Sequence, residues 1–208
     1  GIEIVGEEYV PLDSDDWTTQ VAKIADVKPD FVFNTINGSS NVGFIKAYTE
    51  AGLGADNSPI ISVSIAEEEA PAMGADLTGQ YASWNYFQSV ENPENEVFIK
   101  AFQDKYGADR PTSDPMEAAY VSMYLYKNMV EKAGSFCVDS VNEASDGVTF
   151  QAPEGLVTVN GDNHHIAKTG LIGQINAENQ FDIVWTSDAP IEPDPFLEEY
   201  PWWDANAE

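Results

Sequence analysis

Short apolar runs alternate with amphipathic helical segments over the first 90 residues, and this alternation restricts the fold more than any other feature. The runs FVFNTI at 31–36 and PIISVSI at 59–65 are nearly continuous, which is typical of parallel strands covered on both faces. One helical pattern precedes the first run, and another at about residues 40–52 separates the two. Strands that alternate with helices predict βαβ units, and therefore an α/β fold with a doubly wound parallel sheet.

Further segments extend this prediction on both sides. Residues 2–10 predict an opening strand, AEEEAPAMG at 66–74 predicts a short acidic helix with solvated glutamates, and residues 79–89 predict another strand. Paired strands are expected across residues 154–185, with hairpin turns at 160–162 and 176–179.

The second half begins with two helical patterns. The second of them carries an apolar stripe that we assign to core packing, formed by Met116, Ala119, Tyr120, Met123, Tyr126 and Val130. The last segment, 189–208, is rich in proline and acids, and we expect it to wrap the surface with Phe196 and either Trp202 or Trp203 docked.

The net charge of −27, from nine Lys and Arg against 36 Asp and Glu, argues against nucleic acid or an anionic membrane as a partner. We interpret the acids as a surface suited to a saline medium, because they are scattered rather than grouped as calcium loops. Cys137 is the single cysteine, so no internal disulfide forms, and we assign it a structural role.

Motifs of the common catalytic and cofactor sites are absent from the sequence. The segment NGSSNVGF at 37–44 lacks the Gly-Lys-Ser/Thr ending of a phosphate loop and the spacing of a nucleophile elbow. The histidines, His164 and His165, are adjacent in a predicted hairpin, which disfavours a metal pair and leaves few candidates for a general base. The sequence therefore predicts no cofactor, no metal site and no enzyme.

A binding site is predicted instead where two strands end. Ligands of open parallel sheets lie beyond the carboxyl ends of the strands. Asn37 and Gly38 follow the first run, while Ser64 and Ile65 end the next. If these strands are neighbours, Asn37 and Ser64 offer an amide and a hydroxyl at one edge, and Gly38 lets backbone approach a ligand. The alternative is an ordinary Asn-Gly turn with Ser64 as a cap.

Several blocks of the chain resemble a known family. VGEEYVPLDSDDWTTQVAKIADVKPDFVFNTINGSSNVGFIKAYTEAG, QAPEGLV, NHH and PIEPDPF are similar to solute-binding proteins for urea and short-chain amides, and to the amide sensor of bacterial amidase operons. Both groups have the type I periplasmic binding fold, alongside branched-chain amino-acid receptors. The resemblance implies two lobes that close on a ligand by hinge motion.

The resemblance also implies how the chain divides between those lobes. Residues 1–88 and 169–188 correspond to the second lobe, and 92–168 to a segment of the first. The family's N-terminal stretch, which forms most of the first lobe, has no counterpart in these 208 residues, so the chain is expected to carry half of the cleft. Trp84 and Tyr86, near a crossover, could form a cleft wall, with packing as the equal alternative.

Ser64 decides the expected ligand class. Amino-acid receptors of the family carry a glutamate at this position, which pairs with the ligand ammonium, whereas a hydroxyl stands there in amide binders. A buried ammonium without a carboxylate costs several kcal/mol. We therefore expect a small neutral ligand, urea or a short amide, bound by a periplasmic receptor whose partner is an ABC permease. A cytoplasmic amide sensor and a branched-chain amino-acid receptor are the alternatives.

Overall fold

The structure, a computed structural model, describes residues 1–195. A single turn of 3₁₀ helix, Ala70–Met73, lies between the second and third strands. The other elements, in chain order, are α1 Thr18–Val27, β1 Val32–Asn34, α2 Ser40–Glu50, β2 Ile60–Ser62, β3 Tyr81–Trp84, α3 Pro93–Tyr106, α4 Asp114–Ala133, α5 Val138–Ala144, β4 Thr149–Ala152, β5 Gly155–Val159, β6 Ile166–Ala167, β7 Leu171–Ile175 and β8 Phe181–Thr186.

Two sheets organise the described residues. The larger has five strands in the order β1-β2-β3-β7-β8, and the smaller has three, β4-β5-β6. Strands β1, β2 and β3 pair in parallel, as the alternation of strands and helices predicts, whereas β7 and β8 join the sheet antiparallel. The predicted α/β class is confirmed, and the antiparallel pairs β5–β6 and β7–β8 surround the two predicted turns.

Each sheet has its own apolar core. The core of the larger sheet includes Trp17 and Phe44, which meet edge to face at 5.2 Å between ring centroids, and Phe87 stacked on Phe181 at 4.7 Å. The core of the smaller sheet packs α4 residues such as Val121 against the β4 and β5 strands. Aromatic pairs of this kind add to the free energy gained from burial alone.

The helix boundaries follow local chemistry. Helix α3 begins where the Asn92 side chain accepts a hydrogen bond from the Asn95 amide at 2.8 Å, with Pro93 at the first helical position. Helix α4 ends at Gly134, whose left-handed backbone suits a residue without a β-carbon. Helix α1 ends at Val27, and the C-cap residue Lys28 directly precedes Pro29. No helix among residues 1–195 is long and apolar enough to cross a bilayer.

The opening strand predicted for residues 2–10 is wrong. No strand forms there, and Ile2 and Ile4 are each 80% exposed. An alternating apolar segment becomes part of a sheet only when a neighbouring strand shares its backbone hydrogen bonds, and among the described residues no strand pairs with this segment.

Two other predictions fail for reasons of packing. Met123 and Tyr126 of the α4 stripe are 67% and 46% exposed, because α4 turns Val121 and Leu125 toward the smaller sheet instead. Glu67, expected to be solvated, is 1% exposed. The predicted docking of Phe196, Trp202 and Trp203 lies outside the described residues.

Candidate functional site

Four neutral polar residues form a buried hydrogen-bonded group where β1 and β2 end. This strand-end network consists of Asn34, Asn41, Ser62 and Ser64. The Asn34 amide donates to the Asn41 side-chain oxygen at 2.9 Å, and the Asn41 amide donates to the Ser64 hydroxyl at 3.3 Å. The Ser64 backbone N–H donates to the Ser62 hydroxyl at 3.1 Å. The network therefore joins both strand ends to the first turn of α2.

The strand-end network also holds the chain between β1 and α2. The Ile36 N–H donates to the Asn34 side-chain oxygen at 2.8 Å, and the Ile36 carbonyl accepts from the Asn41 amide at 2.8 Å. The same carbonyl accepts the Ser64 hydroxyl proton. Because these groups satisfy one another, the connection that carries Asn37 and Gly38 has a defined path.

The sequence predicts that Asn37 and Ser64 lie side by side at one edge and offer an amide and a hydroxyl to a ligand. Asn37 is exposed, and its amide donates to the Thr35 carbonyl at 3.4 Å. The Ser64 hydroxyl is half-buried and already donates to Ile36. The two strands are neighbours, as the prediction requires, and the Ser64 hydroxyl belongs to the strand-end network.

Gly38 and the serines after it shape the start of α2. Gly38 has φ of 64°, a left-handed backbone that other residues adopt only with strain, and it is exposed. Neither Ser39 nor Ser40 caps the helix: Ser39 occupies the N-cap position without a capping bond, and its hydroxyl donates to Asp13 at 3.0 Å. This bond fastens the 13–15 loop to the helix start.

A small concavity of about 120 Å³ lies beside this helix start. Asn37, Trp17 and Ser40 contribute to its wall, together with residues 8–12. Ser40 is 2% exposed, and its hydroxyl has no hydrogen-bond partner among the described residues. Glu8, bonded to Lys23 at 2.7 Å, is the only charged lining residue among those described. The concavity is therefore lined by apolar side chains and by the Ser40 hydroxyl, which has no partner among the described residues.

The remaining predicted site residues lie behind this edge. Ile65 is 2% exposed, and its carbonyl accepts the Trp84 indole N–H at 2.9 Å, which orients the half-buried ring. Tyr86 is completely buried, and its hydroxyl bonds Asn95 at 2.7 Å and Thr112 at 2.8 Å. Burial raises the pKa of the Tyr86 phenol. Tyr86 therefore takes the packing role rather than that of an exposed cleft wall.

The fold agrees with that of known proteins. The family model of the periplasmic binding protein domain matches residues 1–201. The chain belongs to this family. The benzoate-bound solute-binding protein of an ABC transporter from R. palustris has the same fold, with a TM-score of 0.81, 21% identity, and coverage of 93% of this chain and 52% of that one.

Two further proteins are similar to this chain in sequence. The Leu/Ile/Val-binding protein homolog 6 of Brucella melitensis is 27% identical over 180 residues, which are 84% of this chain and 46% of that protein. The limonene hydroxylase of Geobacillus stearothermophilus is 33% identical over 119 residues, 57% of this chain and 22% of that protein. The chain thus spans less than half the length of these two relatives.

For this periplasmic binding protein domain, the sequence pointed to Ser64 at the strand ends but missed Asn34, Asn41 and Ser62, the other three residues of the network. Asn34 and Asn41 were overlooked because each sits in a pattern assigned to an apolar strand or helix face. Their signal was the presence of an asparagine inside an otherwise apolar run, which requires a buried hydrogen-bond partner.

Proposed function

We propose that this chain is the ligand-binding part of a receptor that lies outside the inner membrane. The receptor would deliver a small neutral solute, urea or a short-chain amide, to an ABC permease. The concavity at the start of α2 is the observation that carries this proposal, because it lies beyond the carboxyl ends of parallel strands, where such folds bind ligands. Asn37 and Gly38 face the ligand in this proposal. Ser64 and Ile65 support that edge, with Trp84 behind it.

The charge of the concavity supports a neutral ligand. Its described lining includes the carboxylate of Glu8 and no lysine or arginine, so a bound carboxylate such as benzoate gains no positive side chain there. An amide or urea offers N–H groups and one carbonyl, which match the Asn37 amide and the unused Ser40 hydroxyl.

Closure of two lobes would explain how so small a ligand is held. A ligand of about four heavy atoms gains at most roughly 6 kcal/mol, which corresponds to a dissociation constant of tens of micromolar. Reaching that value requires every polar ligand atom to be paired in a site shut from water, as hinge closure provides. We assign residues 1–88 and 169–188 to one lobe and 92–168 to the other. An open half-site should bind in the millimolar range.

A branched-chain amino-acid receptor is the second candidate, favoured by the match of 180 residues to the Brucella protein. The ammonium group of an amino-acid ligand would need a carboxylate of the protein as its partner. Among the described lining residues, Glu8 could serve. We do not extend hydroxylation to this chain, because the match to limonene hydroxylase covers 22% of that protein.

The test is a titration of the ¹⁵N-labelled chain, followed by amide NMR shifts, with acetamide, urea, benzoate and leucine in turn. Urea stays in the millimolar range, far below the molar concentrations that unfold proteins. We expect acetamide and urea to shift the amides of Asn37, Gly38 and Ser40, and N37A to weaken the response. Stronger shifts with benzoate or leucine would overturn the neutral-ligand proposal, and no response at these three amides would overturn the site.

A further inference from the structure

The two crossovers that connect the sheets meet in a group of buried charges, which we call the acid junction. The crossovers are residues 85–92, between β3 and α3, and 168–170, between β6 and β7. They are joined directly, since the Asn85 side chain donates to the Thr169 carbonyl at 3.0 Å. The acid junction consists of Glu67, Asp114, Glu117, Glu154 and Lys168.

Carboxylates bind the first crossover from both sides. Asp114, at the start of α4, accepts the backbone N–H groups of Asn85 and Tyr86, each at 3.0 Å. Glu67, which follows β2, accepts the backbone N–H of Gln88 at 2.7 Å. The backbone of the first crossover is therefore hydrogen-bonded to Glu67, which follows β2 of the larger sheet, and to Asp114 of α4.

Lys168 lies among the acids around the second crossover. Its ammonium group is 2.9 Å from Glu154, in the turn between β4 and β5, and 3.9 Å from Glu117 on α4. Glu117 is completely buried, and one of its oxygens has no hydrogen-bond partner within residues 1–195. Glu67 likewise has one buried oxygen without a partner in this part of the chain. One lysine cannot balance these carboxylates if all are ionised.

We propose that the acid junction is a proton-controlled joint: at neutral pH Glu117 and Glu67 are neutral acids, and their ionisation at alkaline pH loosens the crossovers. A proton placed on the unpartnered oxygen removes the charge that burial would otherwise penalise. Once the proton leaves, water must reach that oxygen, and the contacts around Gln88 and Lys168 must open to admit it.

Burial and the neighbouring acids favour the protonated form of both glutamates, whereas Lys168 opposes it at Glu117. Burial raises the pKa of Glu117 to about 8, aided by the nearby Glu154 and Asp114 and opposed by Lys168. Burial also raises the pKa of Glu67 to about 8, opposed by the Gln88 N–H and aided by Glu68 and Asp114. The phenol of Tyr86 lies near both acids and that of Tyr120 near Glu117, and each has a raised pKa.

The first test counts protons released when the chain unfolds. Calorimetry at about pH 6.5, in buffers of differing ionisation enthalpy, reports this number. The folded chain keeps both protons at this pH and the unfolded chain does not, so E117Q and E67Q should each release about one proton fewer than the parent. D104N, at an exposed carboxylate of α3, is the matched control and should leave the count unchanged. Equal proton release from the parent and both glutamine variants would overturn the proposal.

The second test needs no variant. Carboxyl ¹³C shifts of the unaltered chain should place the ionisation of Glu117 and Glu67 near pH 8, and the exchange protection of the Gln88 and Tyr86 amides should fall across the same range. Ionisation of both acids near pH 4.5 would refute the joint, as would unchanged protection of both amides while the acids titrate.

Discussion

The strand-end network and the acid junction are two buried polar groups of opposite kinds. In the strand-end network, Asn34 and Asn41 are neutral, and their side-chain hydrogen bonds form a connected set with serine hydroxyls and the backbone. In the acid junction, Glu117 and Glu67 each have a buried oxygen that finds no partner among the residues the structure describes. A satisfied neutral network stabilises one conformation at every pH, whereas an unsatisfied ionisable one makes stability depend on protons.

The largest expected effect comes from removing the cation of the acid junction. K168M leaves Glu154 and Glu117 without a positive neighbour, and breaking such a buried pair costs about 3–5 kcal/mol of unfolding free energy. The loss should grow as pH rises from about 5 to 8, because Lys168 favours the ionised form of Glu154, and without it the folded chain must hold a proton there that the unfolded chain has already released. Guanidinium unfolding at each pH measures it.

The control for K168M is K100M, in an exposed pair with Asp104, which should change stability by less than about 0.5 kcal/mol. A loss for K168M that is equally large at pH 5 and pH 8 would show that the junction does not differ from an ordinary packed contact.

The next largest effect is expected in the strand-end network. N41A deprives the Asn34 amide and the Ser64 hydroxyl of a partner, and we expect a loss of about 2–3 kcal/mol. Unlike the loss in K168M, it should be constant between pH 5 and 9. N37A, at an exposed asparagine, is the matched variant for stability and should be close to neutral. A pH-dependent loss in N41A would contradict the contrast drawn between the two groups.

The smallest effect separates support from ligand contact at Ser64. S64A removes one of the two hydrogen-bond donors to the Ile36 carbonyl, and the Asn41 amide remains as the other. We therefore expect the free energy of unfolding to fall by about 1 kcal/mol. The acetamide-induced NMR shifts at Asn37 and Gly38 should persist in S64A. Their disappearance in a variant that is folded and nearly as stable would mean that the hydroxyl contacts the ligand directly.

The sequence predicted the elements that local patterns control. The continuous run at 31–36 became a parallel strand beside the run at 59–65, and the two turns at 160–162 and 176–179 connect antiparallel strands. Periodicity failed where the outcome depended on neighbours. Residues 2–10 have the alternation of a strand but no partner among the described residues, and Met123 has helical spacing on a face that α4 leaves exposed.

By itself, the sequence determined the α/β class and the edge of the sheet where a ligand is expected, because strand and helix periods and strand-end residues are local properties of the chain. The tertiary structure alone decided which acids are buried. Glu67 and Glu68 are adjacent residues of the same type, and the sequence does not distinguish them. In the structure, Glu67 is buried against the first crossover, whereas Glu68 is half-buried and accepts a hydrogen bond from Ser113. Burial depends on what packs against a side chain from distant parts of the chain, and no local pattern contains that information.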